Sequence, residues 1–182
     1  MRVDFFDTSC LTVISTRKVG ISDANSNSNT PAFVKYDDED TWDFTVHNPN
    51  RYEVEYRAID YCIDVFRLVG DDTFSSASIG DELIKRCEGF LFKAEHFVVF
   101  FEIKTGLGKG WFTDACRKFE ETIQSFKEHH SDKRDLIRNP IISNKNYSTY
   151  RVPQNYGVQN DILRDKIGLN IEVKLSTSYD VA

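Results

Sequence analysis

The sequence has few of the features that mark membrane-spanning or exported proteins. Its longest apolar run, Phe97–Phe101, falls far short of the roughly 20 residues that cross a membrane. The N-terminal stretch Met1–Asp7 is acidic and lacks the basic segment and the apolar stretch of a signal peptide. These absences predict a cytoplasmic protein with no membrane partner.

Cysteine is also scarce. No two of the 4 cysteines (Cys10, Cys62, Cys87 and Cys116) form a CxxC pair, which excludes the usual spacing of structural zinc sites. A disulfide framework is typical of short secreted chains, whereas a chain of 182 residues that is 40% hydrophobic can bury a core without one. We therefore expect four buried free thiols in a reducing compartment.

Positive charge is in short supply and unevenly distributed. The net charge of −6 argues against tight non-specific binding of nucleic acid. Residues 1–91 hold 9 Lys and Arg against 17 Asp and Glu, whereas residues 104–151 hold 10 against 6. Any surface that faces phosphate should therefore lie in the second half, although charge alone favours a solvated charged face.

Alternation of apolar and polar residues predicts a β-rich first half followed by alternating strands and helices. The strands are expected at Cys10–Thr16, Trp42–His47, Glu53–Ile59, Glu88–Phe92, Phe97–Lys104, Leu136–Ser143 and Ile171–Leu175. This order indicates a single α/β domain over residues 1–182, with a mixed β-sheet flanked by helices. Its N-terminal β-rich part is expected to span residues 1–80.

Helices are predicted by a different spacing. An apolar residue recurs every three or four positions in Thr113–His129, as on one face of a helix. Val158–Ile167 is predicted to be a shorter helix that ends at Gly168, and Asp81–Cys87 to be a short helical turn.

The end of the strand Phe97–Lys104 carries the chemistry. Its apolar run is followed by Glu102 and Lys104, which are two residues apart and therefore share one face of the strand. Charged residues seldom end such a buried run unless they are paired or functional. The alternative is that they simply mark where the strand reaches solvent.

A second acid is expected beside the first. If the hairpin pairs Phe92 with Val98, Glu88 lies opposite Glu102, with Cβ atoms roughly 5 Å apart. Two carboxylates at that distance repel each other unless a cation lies between them. Carboxylate oxygens suit Mg²⁺ or Mn²⁺, so the pattern predicts a divalent metal site. Lys104, one step further on that face, could stabilise charge on a phosphate.

These residues carry a resemblance to a known superfamily. The segments RCEGFLF and FVVFFEIKTG, followed by a glycine-containing loop and the helix FTDACRKFEETIQSF, resemble the core of PD-(D/E)XK nucleases over residues 86–175. The resemblance implies a restriction-endonuclease-like fold and hydrolysis of phosphodiesters with Mg²⁺ or Mn²⁺. Glu88 and Glu102 would hold the metal, and Lys104 would assist as the third catalytic residue. The sequence departs from the family at Glu88, where aspartate is usual.

Many such nucleases place a further acid upstream. Glu55, Asp60, Asp81 and Glu82 are candidates, and Asp60, which follows a predicted strand, is the preferred metal ligand among them.

Three cations are the candidate contacts to nucleic acid: Lys109 in the segment Gly106–Gly110, and Arg117 and Lys118 early in the long helix. Three interpretations follow. The protein is a metal-dependent nuclease acting on DNA or RNA, an inactive binding or immunity-type protein of the same fold with a protein partner, or an unrelated α/β protein in which the ExK pattern is incidental.

Overall fold

The computed structural model describes residues 3–23, 29–69, 80–106, 108, 110–146 and 152–182. Within these ranges the strands are β1 (Leu11–Ile14), β2 (Lys18–Ser22), β3 (Phe33–Lys35), β4 (Phe44–His47), β5 (Val54–Ala58), β6 (Phe66–Val69), β7 (Gly80–Leu83), β8 (Gly89–Lys93), β9 (Phe97–Ile103), β10 (Ile141–Ser143), β11 (Lys174–Leu175) and β12 (Ser178–Asp180). The α-helices are α1 (Trp111–His129) and α2 (Tyr156–Ile167).

The main sheet has six strands in the order β1-β5-β8-β9-β10-β11. Neighbouring strands from β1 to β9 are antiparallel, whereas β10 runs parallel to both β9 and β11. Parallel neighbours need a crossover, and α1 provides it between β9 and β10. The predicted mixed sheet of an α/β protein is confirmed. Strands from both the N-terminal part and the later part of the chain pair in this sheet.

The two faces of the main sheet are covered by different layers. The helix α1 lies on one face, where the rings of Phe100 and Phe126 meet edge to face with centroids 5.3 Å apart. A four-stranded sheet, ordered β12-β4-β2-β3, lies on the other face, where Phe44 stacks on Phe101 at 5.1 Å. The core therefore occupies two interfaces that share β9, whose seven residues are all buried.

The apolar stripe of α1 is buried as predicted, from Phe112 to Phe126. The helix begins two residues earlier than expected, directly after Gly110, whose φ of 89° suits glycine. The shorter helix ends at Gly168 as predicted, again with a left-handed backbone. In the described ranges, neither helix is long and apolar enough to span a membrane.

Two predicted elements are wrong, and the strand expected at Ile171–Leu175 is limited to β11. The helical turn expected at Asp81–Cys87 is replaced by β7, which pairs with β6, and by a segment without regular structure. The strand expected at Leu136–Ser143 shrinks to β10, because Ser131–Leu136 forms a 3₁₀ helix and Pro140 cannot donate to a strand ladder.

The prediction of four free thiols is wrong for one pair. Cys10 and Cys62 form a disulfide with Cα atoms 6.0 Å apart, whereas Cys87 and Cys116 are buried and free. Cys10 lies directly before β1, and Cys62 lies in the turn after β5. Because these two strands are antiparallel neighbours, they bring together cysteines that are 52 positions apart. The spacing of the cysteines alone gave no sign of this pairing.

Candidate active site

The two acids of the predicted site lie side by side at one end of the β8–β9 hairpin. The expected register is confirmed, since Phe92 pairs with Val98. Glu88 directly precedes β8, and its backbone N–H donates to Oε2 of Glu102 at 3.2 Å. Both acids are buried, with 7% of Glu88 and none of Glu102 exposed. Antiparallel pairing thus places a pair of carboxylic acids in the interior.

Two lysines face these acids. Nζ of Lys104 lies 2.9 Å from Oε1 of Glu102, and Nζ of Lys118, which comes from α1, lies 2.7 Å from the same oxygen. The Lys118 ammonium is also 4.0 Å from Oε1 of Glu88. We call Glu88, Glu102, Lys104 and Lys118 the charge cluster. Lys118 was predicted as a surface contact to nucleic acid, yet its side chain is directed into this cluster.

Asp114 adjoins the charge cluster and was not identified from the sequence. Its Oδ2 lies 3.0 Å from Nζ of Lys104, and its Oδ1 lies 3.3 Å from Nζ of Lys85. It stands in the first turn of α1, where a carboxylate is favoured by the helix dipole. Its spacing of four residues from Lys118 was the available signal, because two such residues lie on one face of a helix.

The ionisation of the charge cluster reflects both burial and neighbours. Burial, and then the nearby Glu102 carboxylate, raise the pKa of Glu88 well above its usual value. Burial acts to lower the pKa of Lys118, but Glu102 outweighs it and the pKa rises. The pKa of Lys104 is raised by the same balance. The two lysines therefore remain charged, while Glu88 is held closer to its neutral form.

Glu88 and Glu102 offer two carboxylates of the kind that bind a hard divalent cation. Oε1 of Glu102 is fully buried and, among the described residues, accepts no hydrogen bond of acceptable geometry despite the two nearby ammonium groups. Carboxylate oxygens are the donors that Mg²⁺ and Mn²⁺ prefer. The described residues contain no group of three or more His, Cys, Asp or Glu placed to hold a metal ion. Such an ion would complete its coordination with water or substrate, as Mg²⁺ commonly does.

Asp60 lies close to the site, but its carboxylate has another partner. The backbone N–H of Ile59 donates to the carbonyl oxygen of Glu88 at 2.9 Å, and the N–H of Asp60 reaches the same oxygen at 3.4 Å. The Asp60 carboxylate lies 3.4 Å from the guanidinium of Arg86. Its role as a metal ligand stays a prediction. Glu55 is paired with Arg57 at 2.7 Å, and the side chains of Asp81 and Glu82 lie outside the described part of the molecule.

The remaining candidate contacts to nucleic acid are placed differently. Lys109 falls outside the described residues. Arg117 is half-exposed beside the charge cluster, with its guanidinium 3.6 Å from Asp114. A cationic rim of Arg117 and Lys85 therefore borders the buried acids, and both side chains are accessible to an anionic ligand.

Comparisons of the chain with protein-family models, with curated proteins and with solved structures found no match. The resemblance to PD-(D/E)XK nucleases therefore rests on the residues and the strand register of this chain. What the charge cluster can do must be inferred from its own geometry.

Proposed function

We propose that this protein hydrolyses phosphodiester bonds in nucleic acid with the help of Mg²⁺ or Mn²⁺, on a restriction-endonuclease-like core. The observation that carries the proposal is the adjacent burial of Glu88 and Glu102, with Lys104 next on the same strand. Burying two acids together costs free energy, and such arrangements are concentrated at functional sites. The helix that crosses from β9 to the parallel β10 supports the same fold.

In this proposal Glu88 and Glu102 are the metal ligands. The ion, when bound, would polarise the phosphate and lower the pKa of a nearby water. Lys104 holds a fixed positive charge between Glu102 and Asp114, where it can stabilise charge that develops on the phosphate. Asp114 is a positioning residue, because it orients the Lys104 ammonium. Arg117 contacts the nucleic-acid backbone at the rim.

A specific observation favours a second function, that of an inactive protein of the same fold that binds a protein partner. The Lys118 ammonium already neutralises the acids, at 2.7 Å from Glu102 and 4.0 Å from Glu88. A lysine that fills this position permanently would make a metal ion unnecessary. The net charge of −6 and the glutamate at position 88 point the same way.

Cleavage assays separate the two functions. Plasmid DNA and single-stranded DNA and RNA are incubated with the wild type in Mn²⁺, Mg²⁺ or EDTA. We expect metal-dependent cleavage that falls about 10²–10³-fold in Glu102→Ala and Lys104→Ala. The matched control is Glu95→Gln, an exposed acid in the turn at the opposite end of the same hairpin. Equal cleavage by all variants would reveal a contaminant. No cleavage by the wild type, together with recovery of a protein partner, would establish the second function.

We also propose a cytoplasmic location. The Cys10–Cys62 disulfide is in tension with it, because such bonds are rare in reducing compartments. Acid quenching of intact cells followed by alkylation decides between them. Alkylated Cys10 and Cys62 would support the cytoplasm, and protected cysteines an oxidising compartment.

A further inference from the structure

We propose that Lys118 is an internal cation that occupies the metal position, and that a divalent ion binds only by displacing it. The inference rests on the proposed function, since it concerns the same two carboxylates. Metal binding would then be weaker than the two carboxylates alone would allow, because moving Lys118 away costs free energy. The protein would then rest in a metal-free form that is closed by its own side chain.

The position of the ammonium carries the inference. Nζ of Lys118 is within ion-pair distance of both acids, at 2.7 Å from Oε1 of Glu102 and 4.0 Å from Oε1 of Glu88. A cation that bridges these carboxylates must approach the same oxygens. Lys104 and Lys118 already place two positive charges beside Oε1 of Glu102, at 2.9 Å and 2.7 Å. A divalent ion would add a third cation there, and the repulsion would be weakly screened. Metal and ammonium are therefore alternative occupants.

The two lysines of the charge cluster differ in how they are held. Lys104 extends from β9 and is shared between Glu102 and Asp114, at 2.9 Å and 3.0 Å. The second carboxylate near Lys118, that of Glu88, is 4.0 Å away, and 16% of the Lys118 side chain is exposed, close to the 19% of Lys104. A lysine stem is flexible, so Lys118 can swing toward solvent without moving the helix, while Asp114 retains Lys104 in place. Displacement would remove the neutralising lysine and leave the catalytic one.

Calorimetric titration with Mn²⁺ tests this arrangement without relying on activity. We expect Lys118→Gln to bind Mn²⁺ about tenfold more tightly than the wild type, because no ammonium has to be moved. The matched control is Arg117→Gln, which removes the same charge one position earlier on α1, from a side chain that contacts Asp114. A change of about twofold or less is expected there. Binding by Lys118→Gln that is equal to or weaker than that of the wild type would overturn the inference.

The wild type provides a second measurement, in case Lys118→Gln does not fold. The ε-methylene signals of the lysines are followed by carbon-detected magnetic resonance during titration with Mg²⁺, with the Lys118 signal assigned from Lys118→Arg. We expect the Lys118 signal to move more than that of Lys104. A Lys118 signal that stays fixed up to saturating Mg²⁺ would contradict displacement.

The two proposals can fail separately. If the wild type cleaves nucleic acid in Mn²⁺ while Lys118→Gln binds the ion no more tightly, the nuclease assignment stands and the displacement of Lys118 is wrong. If Lys118→Gln gains affinity for Mn²⁺ but neither protein cleaves, Lys118 does block a metal site, and that site is not a nuclease.

Discussion

The two faces of β9 serve different purposes. Phe101 faces the four-stranded sheet and stacks on Phe44, in an interface built from rings and aliphatic side chains. Phe100 faces α1 and packs on Phe126, but two residues later the same face carries Glu102. Phe100, Phe101 and Glu102 are all fully buried. One face of β9 therefore contributes only to stability, whereas the other face carries a buried charged group at one end that lowers stability.

The difference shows where to look for function in this fold. A sequence normally satisfies packing and polar partners together, and departures from that rule concentrate at functional sites. Among the described residues on the apolar face, no charged group departs from this rule. The charged end has two acids within contact distance, a buried oxygen without a hydrogen bond and two ammonium groups competing for it.

The largest expected loss of stability comes from a substitution on the apolar face of β9. Phe101→Ala should lower the free energy of unfolding by about 3–5 kcal/mol, because it leaves a cavity against Phe44. Denaturation by urea measures it, with the exposed Phe33→Ala on β3 as the control, expected within about 0.5 kcal/mol of the wild type. The comparison between the faces fails if the folded Phe101→Ala protein has lost its affinity for Mn²⁺.

Loss of the Cys10–Cys62 disulfide should cause the next largest loss of stability. Cys62 lies close in sequence to Ile59, whose N–H holds the carbonyl oxygen of Glu88, so the bond between Cys10 and Cys62 supports the charged end. Replacing both cysteines by serine should cost about 2–4 kcal/mol of stability, as a disulfide that closes a long loop provides. Urea denaturation of the double variant measures the loss. An unchanged midpoint would mean that the bond does not form in solution.

Glu88→Gln should act in the opposite direction. Its pKa is raised first by burial and then by Glu102, so the folded protein disfavours the charged form. A neutral amide of the same shape should therefore raise the free energy of unfolding by about 1 kcal/mol in metal-free buffer. The same change should weaken Mn²⁺ binding. A variant that is less stable than the wild type in EDTA would show that Glu88 contributes to folding.

The smallest expected effect is a dependence on pH far from the acids. Nε2 of His130 accepts a hydrogen bond from the Phe5 N–H at 3.2 Å, and burial lowers the pKa of His130 below its usual 6.5. The neutral imidazole is therefore favoured in the folded state. Its contribution is complete above pH 6.5 and is lost as the pH falls through the lower folded value.

The expected loss below pH 6.5 is a small part of the stability, since Asp4 lies 3.9 Å away and can offset a charged imidazole. Thermal denaturation of His130→Gln over that range should show a flatter profile than the wild type. Parallel profiles for the two proteins would contradict this role of His130.

Much of the site could be predicted from local patterns. The short turn between the two predicted strands suggested the register that pairs Phe92 with Val98 and brings Glu88 to Glu102. The contributions from other elements could not. Lys118 reaches the acids and Asp114 reaches Lys104 because α1 crosses the sheet at a particular angle, and no pattern within the helix encodes that angle.

The fold shows the same limit. The long strands and both helices follow from periodicity, whereas β2, β3 and β12 were not predicted because they are short and have no distinct alternation. The pairing of Cys10 with Cys62 depends on which strands become neighbours. Local sequence therefore predicted the longer elements and the hairpin, whereas the short strands and the disulfide depend on packing between distant elements.

Gly89 has a consequence for how this gene can vary. A Cβ atom at this position would lie 2.5 Å from the carbonyl oxygen of Arg57, so no larger residue fits between β8 and β5. In a library of all single substitutions, position 89 should be intolerant whether the selection is for folding or for cleavage. Position 88 should accept glutamine under the first selection and reject it under the second. Two adjacent codons would thus be under different constraints, position 89 because of the space between the strands and position 88 because of the chemistry of its carboxylate.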